Sequence, residues 1–470
     1  MTHPPLSRRT FIKSLAAGST AFALTSPLSL LTGCSSPLSS SQSYINKIIS
    51  PSNHNAVYHW TDIMLQAVRN LSVPPPKATR SFAMAHLAGF LAVNTIDKKY
   101  NTPFPNIEFS GDADPQIAYG VAMSYALEEA FQSMFSFDRR SFLSNFENNE
   151  AKANAIKIGK KAAQQVVEFR INDGAEPNKS EFYLNRYDRR DDSLRWAPTG
   201  PFYGAKNGPA FTNFNRGALP GWGAQKPWVM KNKATFLAPE FPDPKSPEFA
   251  AEFRKIKGLG AIDSVIRTED QTQIAFFWED GPRGVTPPGH WQIIAMNVTQ
   301  NMNYPILELA RFFALMSTAQ ADAAITTWDS KYKHDILRPE TAIRIRANDF
   351  NNLQIMGSRQ SKWQSLIPTP NFPAYTSGHS TFSAVSARML ALFIGTDAVK
   401  FSSRSPDLVN WPSQLTDVTR SYNSLWAAAE EGSDSREYGG IHWESDAIEG
   451  LRCGKNLADY VYNNAFDKIV

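Results

Sequence analysis

From Ala56 onward, apolar side chains return every three or four residues in one segment after another, a spacing that commits the chain to amphipathic helices packed face on face. The pattern runs from Ala56 to about Asn70 and through ATRSFAMAHLAGFLAVNTI, DPQIAYGVAMSYALEEAFQSMF and EAKANAIKIGKKAAQQVVEFRI. It resumes in EFAAEFRKIKGLG and DQTQIAFFWED and is strong from Trp291 to Trp328. No segment alternates apolar and polar residues convincingly enough to predict a strand, and none repeats at a fixed period. With 470 residues, 42% of them hydrophobic, the chain can bury one large core or two smaller ones. The expected fold is mainly α, a helical-bundle core with long loops rich in Pro, Gly and aromatics.

The first 34 residues read as targeting rather than structure. The stretch SRRTFIKSLAAGSTAFALTSPLSLLTGC resembles a twin-arginine export signal through Ser7, Arg8, Arg9, Phe11 and Lys13, closed by a lipoprotein box at Leu31–Cys34. An N-terminal anchor helix is the competing reading, and Pro27 interrupts it. The expected organisation is a signal peptide over 1–33, lipidation at Cys34, a Ser-rich tether over 34–44 and a single domain over 45–470 outside the cytoplasm. Apart from this segment no run reaches about 18 uninterrupted apolar residues, so membrane contact is expected through the lipid alone.

A lipidated Cys34 leaves Cys453 without a partner, so no intramolecular disulfide is expected and packing must hold the fold. Cys453 itself, inside an apolar helical run, reads as a packed small hydrophobe. The net charge of +4 includes Arg8, Arg9 and Lys13; without the first 33 residues, 45 basic side chains face 44 acidic ones. That balance offers no electrostatic case for nucleic acid.

Between about Asp188 and Pro247 periodicity gives way to Pro, Gly and aromatics (RWAPTGPFYG, GALPGWGAQKPW, APEFPDPKSPEF), as in a structural wrap or a functional loop. Three polar clusters follow, in a site core expected over about 325–455. In WDSKYKHDILRPE, Lys331 and Arg338 stand seven residues apart, two turns of a continuous helix, with Pro339 behind them. In PAYTSGHSTFS, a helix is predicted to start near Ser377 to His379 and to run with its apolar face at Phe382, Val385 and Met389 up to Gly395. Its first amides suit an anion; Gly378 admits close approach, Ser377 adds a hydroxyl and His379 can exchange a proton near neutral pH. In SREYGGIHWESDAIEG, Arg436 is a planar multidentate donor, and Asp446 lies one helical turn after His442, where it can fix the imidazole's tautomer. Taken singly, each cluster also reads as an ordinary solvated face, an N-cap or a helix-surface hydrogen bond.

Taken in order, the sequence Lys-x6-Arg-Pro, Ser-Gly-His, Ser-Arg-x5-His-x3-Asp resembles the signature shared by type 2 phosphatidic-acid phosphatases and vanadium-dependent haloperoxidases. It is complete at Lys331, Arg338, Pro339, Ser377, Gly378, His379, Ser435, Arg436, His442 and Asp446. ALPGWGAQKPW, IDSVIRTEDQTQIAFFW, GHWQIIAMN and ADAAITTWDSKY look like bacterial haloperoxidases, so the resemblance covers most of residues 200 to 465. Trp328 and Phe372 match aromatics on the halide side of fungal chloroperoxidase sites; algal bromoperoxidases carry His at the latter.

The resemblance implies a haloperoxidase/acid-phosphatase-like bundle that holds vanadate, with phosphate as competing occupant. It implies that His442 supplies the one bond to vanadium and Asp446 orients it, while Lys331, Arg338, Arg436, Ser377 and Gly378 neutralise the other oxygens. His379 would be the general base, and Lys331 would polarise a His-bound peroxovanadate for attack by halide. The partners are then hydrogen peroxide, halide and an unnamed organic acceptor. The same cage implies an alternative, an exported phosphomonoesterase working through a phosphohistidine at His442. Of the other histidines, His290 reads as a turn-capping or channel residue and His334 as a neighbour of the first cluster. His54, His59 and His86 lack companions for ligation.

Overall fold

The computed structural model describes residues 55–175, 194–196, 217–281, 284–346, 362–405 and 418–469. The expected signal peptide, Cys34, the tether and His54 lie outside them.

Helix α1 (Ala56–Asn70) starts where the Asn55 side chain accepts from the Val57 amide, and α2 (Pro75–Asp97) opens on prolines preset for a first turn. Asp114 caps α3 (Pro115–Phe131) through two amides; α4 (Ser136–Leu143) and α5 (Glu150–Phe169) follow. Ser246 caps α6 (Pro247–Leu259), and a Thr268/Gln271 capping box opens α7 (Glu269–Phe277). The periodic run from Trp291 to Trp328 is two helices, α8 (Thr286–Thr299) and α9 (Ile306–His334), because Pro305 ends one path and presets the next. After α10 (Gly378–Ile394) the chain forms a hairpin-like pair that the sequence reading did not predict, β1 (Phe401–Arg404) against β2 (Thr419–Tyr422), antiparallel with Phe401 opposite Tyr422. Four residues per strand are too few for alternation to register. Helices α11 (Leu425–Tyr438) and α12 (Glu444–Asn464) complete the order.

Helix α9 organises the packing. It lies against α2 on one side, where α2, α3 and α5 pack together, and against α10 and α12 on the other, which α11 joins. Phe312, Phe313, Leu315 and Met316 are fully buried, as expected for a helix apolar on most sides. A second, smaller core gathers Phe249, Phe253, Ile336, Leu337, Tyr375 and Trp443.

The aperiodic stretch, where described, wraps the body: short 3-10 turns at Trp222–Ala224 and Lys233–Phe236 bury Trp222 and Phe236. Its segment 194–196 pairs with the link after α9, with Trp196 N–H on Asp335 O at 2.9 Å and Leu337 N–H on Leu194 O at 2.7 Å. Further along, the buried Asp322 of α9 accepts the amides of Trp228, Val229 and Met230 at 2.7, 2.9 and 2.9 Å. Among the described residues no helix is long and apolar enough to cross a membrane. Cys453 is buried and free, as its apolar setting predicts.

Candidate active site

Lys331 sits in the last turn of α9, which stops when Asp335 adopts a left-handed conformation (φ 52°) and returns its N–H to Lys331 O. The chain is extended at Arg338, which caps a single turn at Pro339–Thr341. The expected continuous helix between the two cations is therefore absent; they meet because both reach the same strip, 372–376. Lys331 Nζ donates to the carbonyls of Pro373, Ala374 and Thr376 at 3.0, 2.9 and 2.5 Å. Arg338 donates from Nε to Phe372 O at 2.9 Å and from Nη1 to Ile441 O at 2.8 Å. Both side chains are wholly buried.

Helix α10 begins where the sequence places it. Ser377 is the N-cap, its Oγ accepting from Ser380 N–H at 3.3 Å, which leaves the hydroxyl hydrogen to donate elsewhere. Its own N–H donates to Asp446 O at 3.0 Å, joining this turn to the start of α12. Among the described residues the Gly378 amide has no acceptor, and a Cβ added there would meet only Phe382 and Trp328 at ordinary contact distance.

His442 precedes α12 instead of lying in it, so its pairing with Asp446 is not the helical one expected. Asp446, in the first turn, reaches back to the His442 Nδ1–H at 2.7 Å and the Trp443 N–H at 3.0 Å through one oxygen. A carboxylate partner puts the proton on Nδ1, so the His442 Nε2 lone pair points into the site, where Arg338 Nη1 donates to it at 2.9 Å. Arg436, near the end of α11, donates from Nη1 to Trp278 O at 2.8 Å, while its buried Nε has no partner among the described residues.

Three buried cations thus surround one imidazole, with Asp446 as the carboxylate among them. Burial pushes Arg338 down to about 9 and Arg436 to about 10, and holds Lys331 well below the usual lysine range. Burial likewise raises the Asp446 carboxyl to about 7. His442 is held well below its ordinary value by burial and then by Arg338, Lys331 and Arg436, so it is neutral at pH 7. Isolated buried charges cost several kcal/mol each, and a cluster of like sign is stable only when an anion offsets it. The Arg436 Nε and the Gly378 amide, with the His442 Nε2 lone pair once Arg338 turns from it to the ligand, make a donor and ligand set that suits a tetrahedral oxyanion such as vanadate or phosphate.

His379 is half-buried in the first turn of α10, with Nε2 3.2 Å from Glu279 O. A carbonyl only accepts, so Nε2 carries the proton and Nδ1 is left as the basic atom. Burial first, then Arg436, keeps His379 well below its ordinary value. On the other flank, Trp328 and Phe372 form a wall with ring centroids 5.1 Å apart, and Lys331 Nζ lies 5.0 Å over the Phe372 ring. Trp328 Nε1 is tied to Ala218 O at 3.1 Å.

The structure therefore brings Lys331, Arg338, Ser377, Gly378, His379, Arg436, His442, Asp446, Trp328 and Phe372 into one place. It leaves out His334, which packs edge-on against Tyr375 at 5.2 Å, and His86, which bonds Tyr119 at 2.8 Å in the core. His59 stacks on Phe142. His290 is a fully buried residue of α8 whose Nδ1 bonds Asp280 in the turn after α7. Sequence reasoning missed the carbonyls of 372–376 and of Trp278 and Glu279. No residue type marks a main-chain carbonyl, so the sequence offered no signal for them.

Comparisons with known proteins bear on the fold around this arrangement. Residues 311–469 match the family model of the VCPO (vanadium chloroperoxidase) second helical-bundle domain. The solved structure of a bacterial vanadium-dependent iodoperoxidase has a TM-score of 0.70 at 26% identity, covering 87% of this chain and 96% of that one. Over its second helical bundle and in its overall fold, the chain is similar to vanadium haloperoxidases. A bacterial vanadium-dependent chloroperoxidase shares the fold at 16% identity and a TM-score of 0.65 in its apo form, covering 84% of this chain and 96% of that one. The vanadium chloroperoxidase of Curvularia inaequalis is 23% identical over 233 residues, 40% of this chain and 38% of that protein. The chain thus spans about two fifths of the length of the curated relative it matches. The mainly α bundle expected from periodicity is the fold of this family.

Proposed function

We propose that this chain is a vanadate-dependent haloperoxidase, oxidising halide with hydrogen peroxide to a hypohalous species that halogenates an organic acceptor. The observation that supports it most is the group of buried cations beside His442, Arg338 on its Nε2 and Lys331 and Arg436 close by, in a chain whose second bundle matches the VCPO family model.

Bound vanadate would supply a Lewis-acid centre that activates peroxide toward halide without changing oxidation state. His442 would hold it through Nε2, with Asp446 keeping the proton on Nδ1. Arg436 offers its free Nε–H, and Gly378 its amide, to the remaining oxygens; Ser377 adds its hydroxyl hydrogen. Lys331 has all three hydrogens on carbonyls, so it must exchange one of them to reach an oxygen of the ligand. His379, neutral at pH 7, takes a proton from incoming peroxide at Nδ1 while Glu279 O holds Nε2–H. Trp328 and Phe372 exclude water on the side where Lys331 lies and give the halide a polarisable wall.

The test is protein lacking residues 1 to 34, loaded with orthovanadate and assayed with peroxide and each halide in turn, iodide first, beside an aryl phosphate assay of the vanadate-free form. Halogenation well above free vanadate is the expected result. Fast phosphate release with only trace halogenation would replace the proposal with a phosphohistidine phosphatase.

A further inference from the structure

Among the buried ionisable groups outside the cage, His290 and Asp280 form a pair with no role yet. His290 Nδ1 lies 3.0 and 3.3 Å from the two oxygens of Asp280, and both side chains are wholly buried. Since a carboxylate only accepts, Nδ1 carries the proton. The other ring nitrogen, Nε2, is buried without a partner among the described residues. The His290 ring also stacks on the indole of Trp278, with centroids 4.6 Å apart and planes 29° from parallel.

His290 therefore grips both ends of the turn that follows α7. Trp278 is held by its ring face and Asp280 by its carboxylate, and the two main-chain carbonyls nearest that grip serve the site. Trp278 O accepts from Arg436 Nη1 at 2.8 Å, and Glu279 O accepts from His379 Nε2 at 3.2 Å. Asp280 has φ 46°, a left-handed conformation that a residue other than glycine keeps only where its surroundings hold it. Its bond to His290 is such a hold.

We propose that His290 is a positioning residue, acting through Trp278 and Asp280 to fix the turn whose successive carbonyls set Arg436 and His379. The proposal rests on the reading of His379 as the base. His290 touches no reacting atom; its effect is to keep the His379 proton on Nε2 and the Arg436 fork aimed at the oxyanion. His379 is otherwise faced by Arg436, Lys331 and Arg338, which only donate, and by His442, whose Nε2 lone pair already accepts from Arg338 Nη1.

The experiment compares His290→Phe, which keeps the stacked ring but loses the donor, with His290→Asn, whose amide nitrogen stands where Nδ1 stood. In folded, vanadate-free protein, the His379 Nε2–H resonance is followed by ¹⁵N-edited NMR. The expected result is a shifted or exchange-broadened signal in His290→Phe and its recovery in His290→Asn. In vanadate-loaded protein, His290→Phe is expected to lower kcat by roughly tenfold, part of the effect of a positioned base, and to alter the pH profile. A wild-type resonance and pH profile in His290→Phe, with only a lower Tm, would overturn the proposal. If His290→Phe does not fold, His290→Leu, which loses the donor and the stacked ring together, carries the same expectation and the same overturning result. The resonance reports on the turn whether or not halogenation is found, which separates failure of this proposal from failure of the functional one.

Discussion

His442 can offer a lone pair to the site only because Asp446 decides where its proton sits, and Asp446 can do so because the first turn of α12 points its carboxylate back across the helix start. On the proposed reading, His442→Ala removes orthovanadate binding altogether, measured by equilibrium dialysis, and Asp446→Asn weakens it by roughly 10- to 100-fold. His379→Ala leaves that binding within a few-fold but slows the peroxide-dependent step by about 10²- to 10⁴-fold in stopped-flow mixing. Vanadate retained by His442→Ala, or a normal peroxide step in His379→Ala, would remove that residue from its role. The side chains that gather here were legible in the sequence because Lys331, Arg338, His379, Arg436 and His442 are of types whose spacing can be read. Their partners were not, since the carbonyls of Phe372, Pro373, Trp278 and Glu279 belong to a group every residue carries.

Helix starts were easier to read than helix ends. Ser377, Asp114 and Ser246 announce their helices with side-chain oxygens, but α2, α3 and α9 stop at Lys98, Gln132 and Asp335, none of them a glycine, each in the left-handed region. The Lys331–Arg338 geometry was misread for that reason: nothing in the sequence marks Asp335 as a break. The contact between α10 and α12 was equally hidden. A Cβ at Gly450 would come 2.8 Å from Ser377 O, and one at Gly454 2.9 Å from the Ala384 Cβ, so two glycines one turn apart let α12 press on the turn that carries Ser377 to Thr381. Gly454→Ala is therefore expected to lower unfolding free energy by about 1–3 kcal/mol in urea titration, the usual penalty of overpacking, and to weaken orthovanadate binding with it. Equal stability and equal affinity would show that the helices have room to part.

For the molecule as a whole, the site is a deficit in the folded state, with three desolvated cations near one carboxylate. A ligand that binds only the folded form recovers part of it: at 100 times its dissociation constant, orthovanadate should stabilise the protein by about 2.7 kcal/mol. Thermal unfolding with and without the anion checks this, phosphate being expected to act in the same direction; an unmoved Tm would mean that the cage does not take oxyanions.

The family likeness to the second bundle begins at Arg311, five residues inside α9. Yet that helix carries Lys331 in its last turn while its flank lies on α2, and α8 likewise bridges α2 and α10, so the chemistry is tied to the far half through packed helices. A fragment cut at 311 would strip Phe313 of its contacts with Tyr58 and His86 and leave the lysine at the end of a less supported lever. The catalytic half is thus no portable cassette: whatever loosens the first bundle is felt, one rigid helix away, as a change in the reach of one ammonium group.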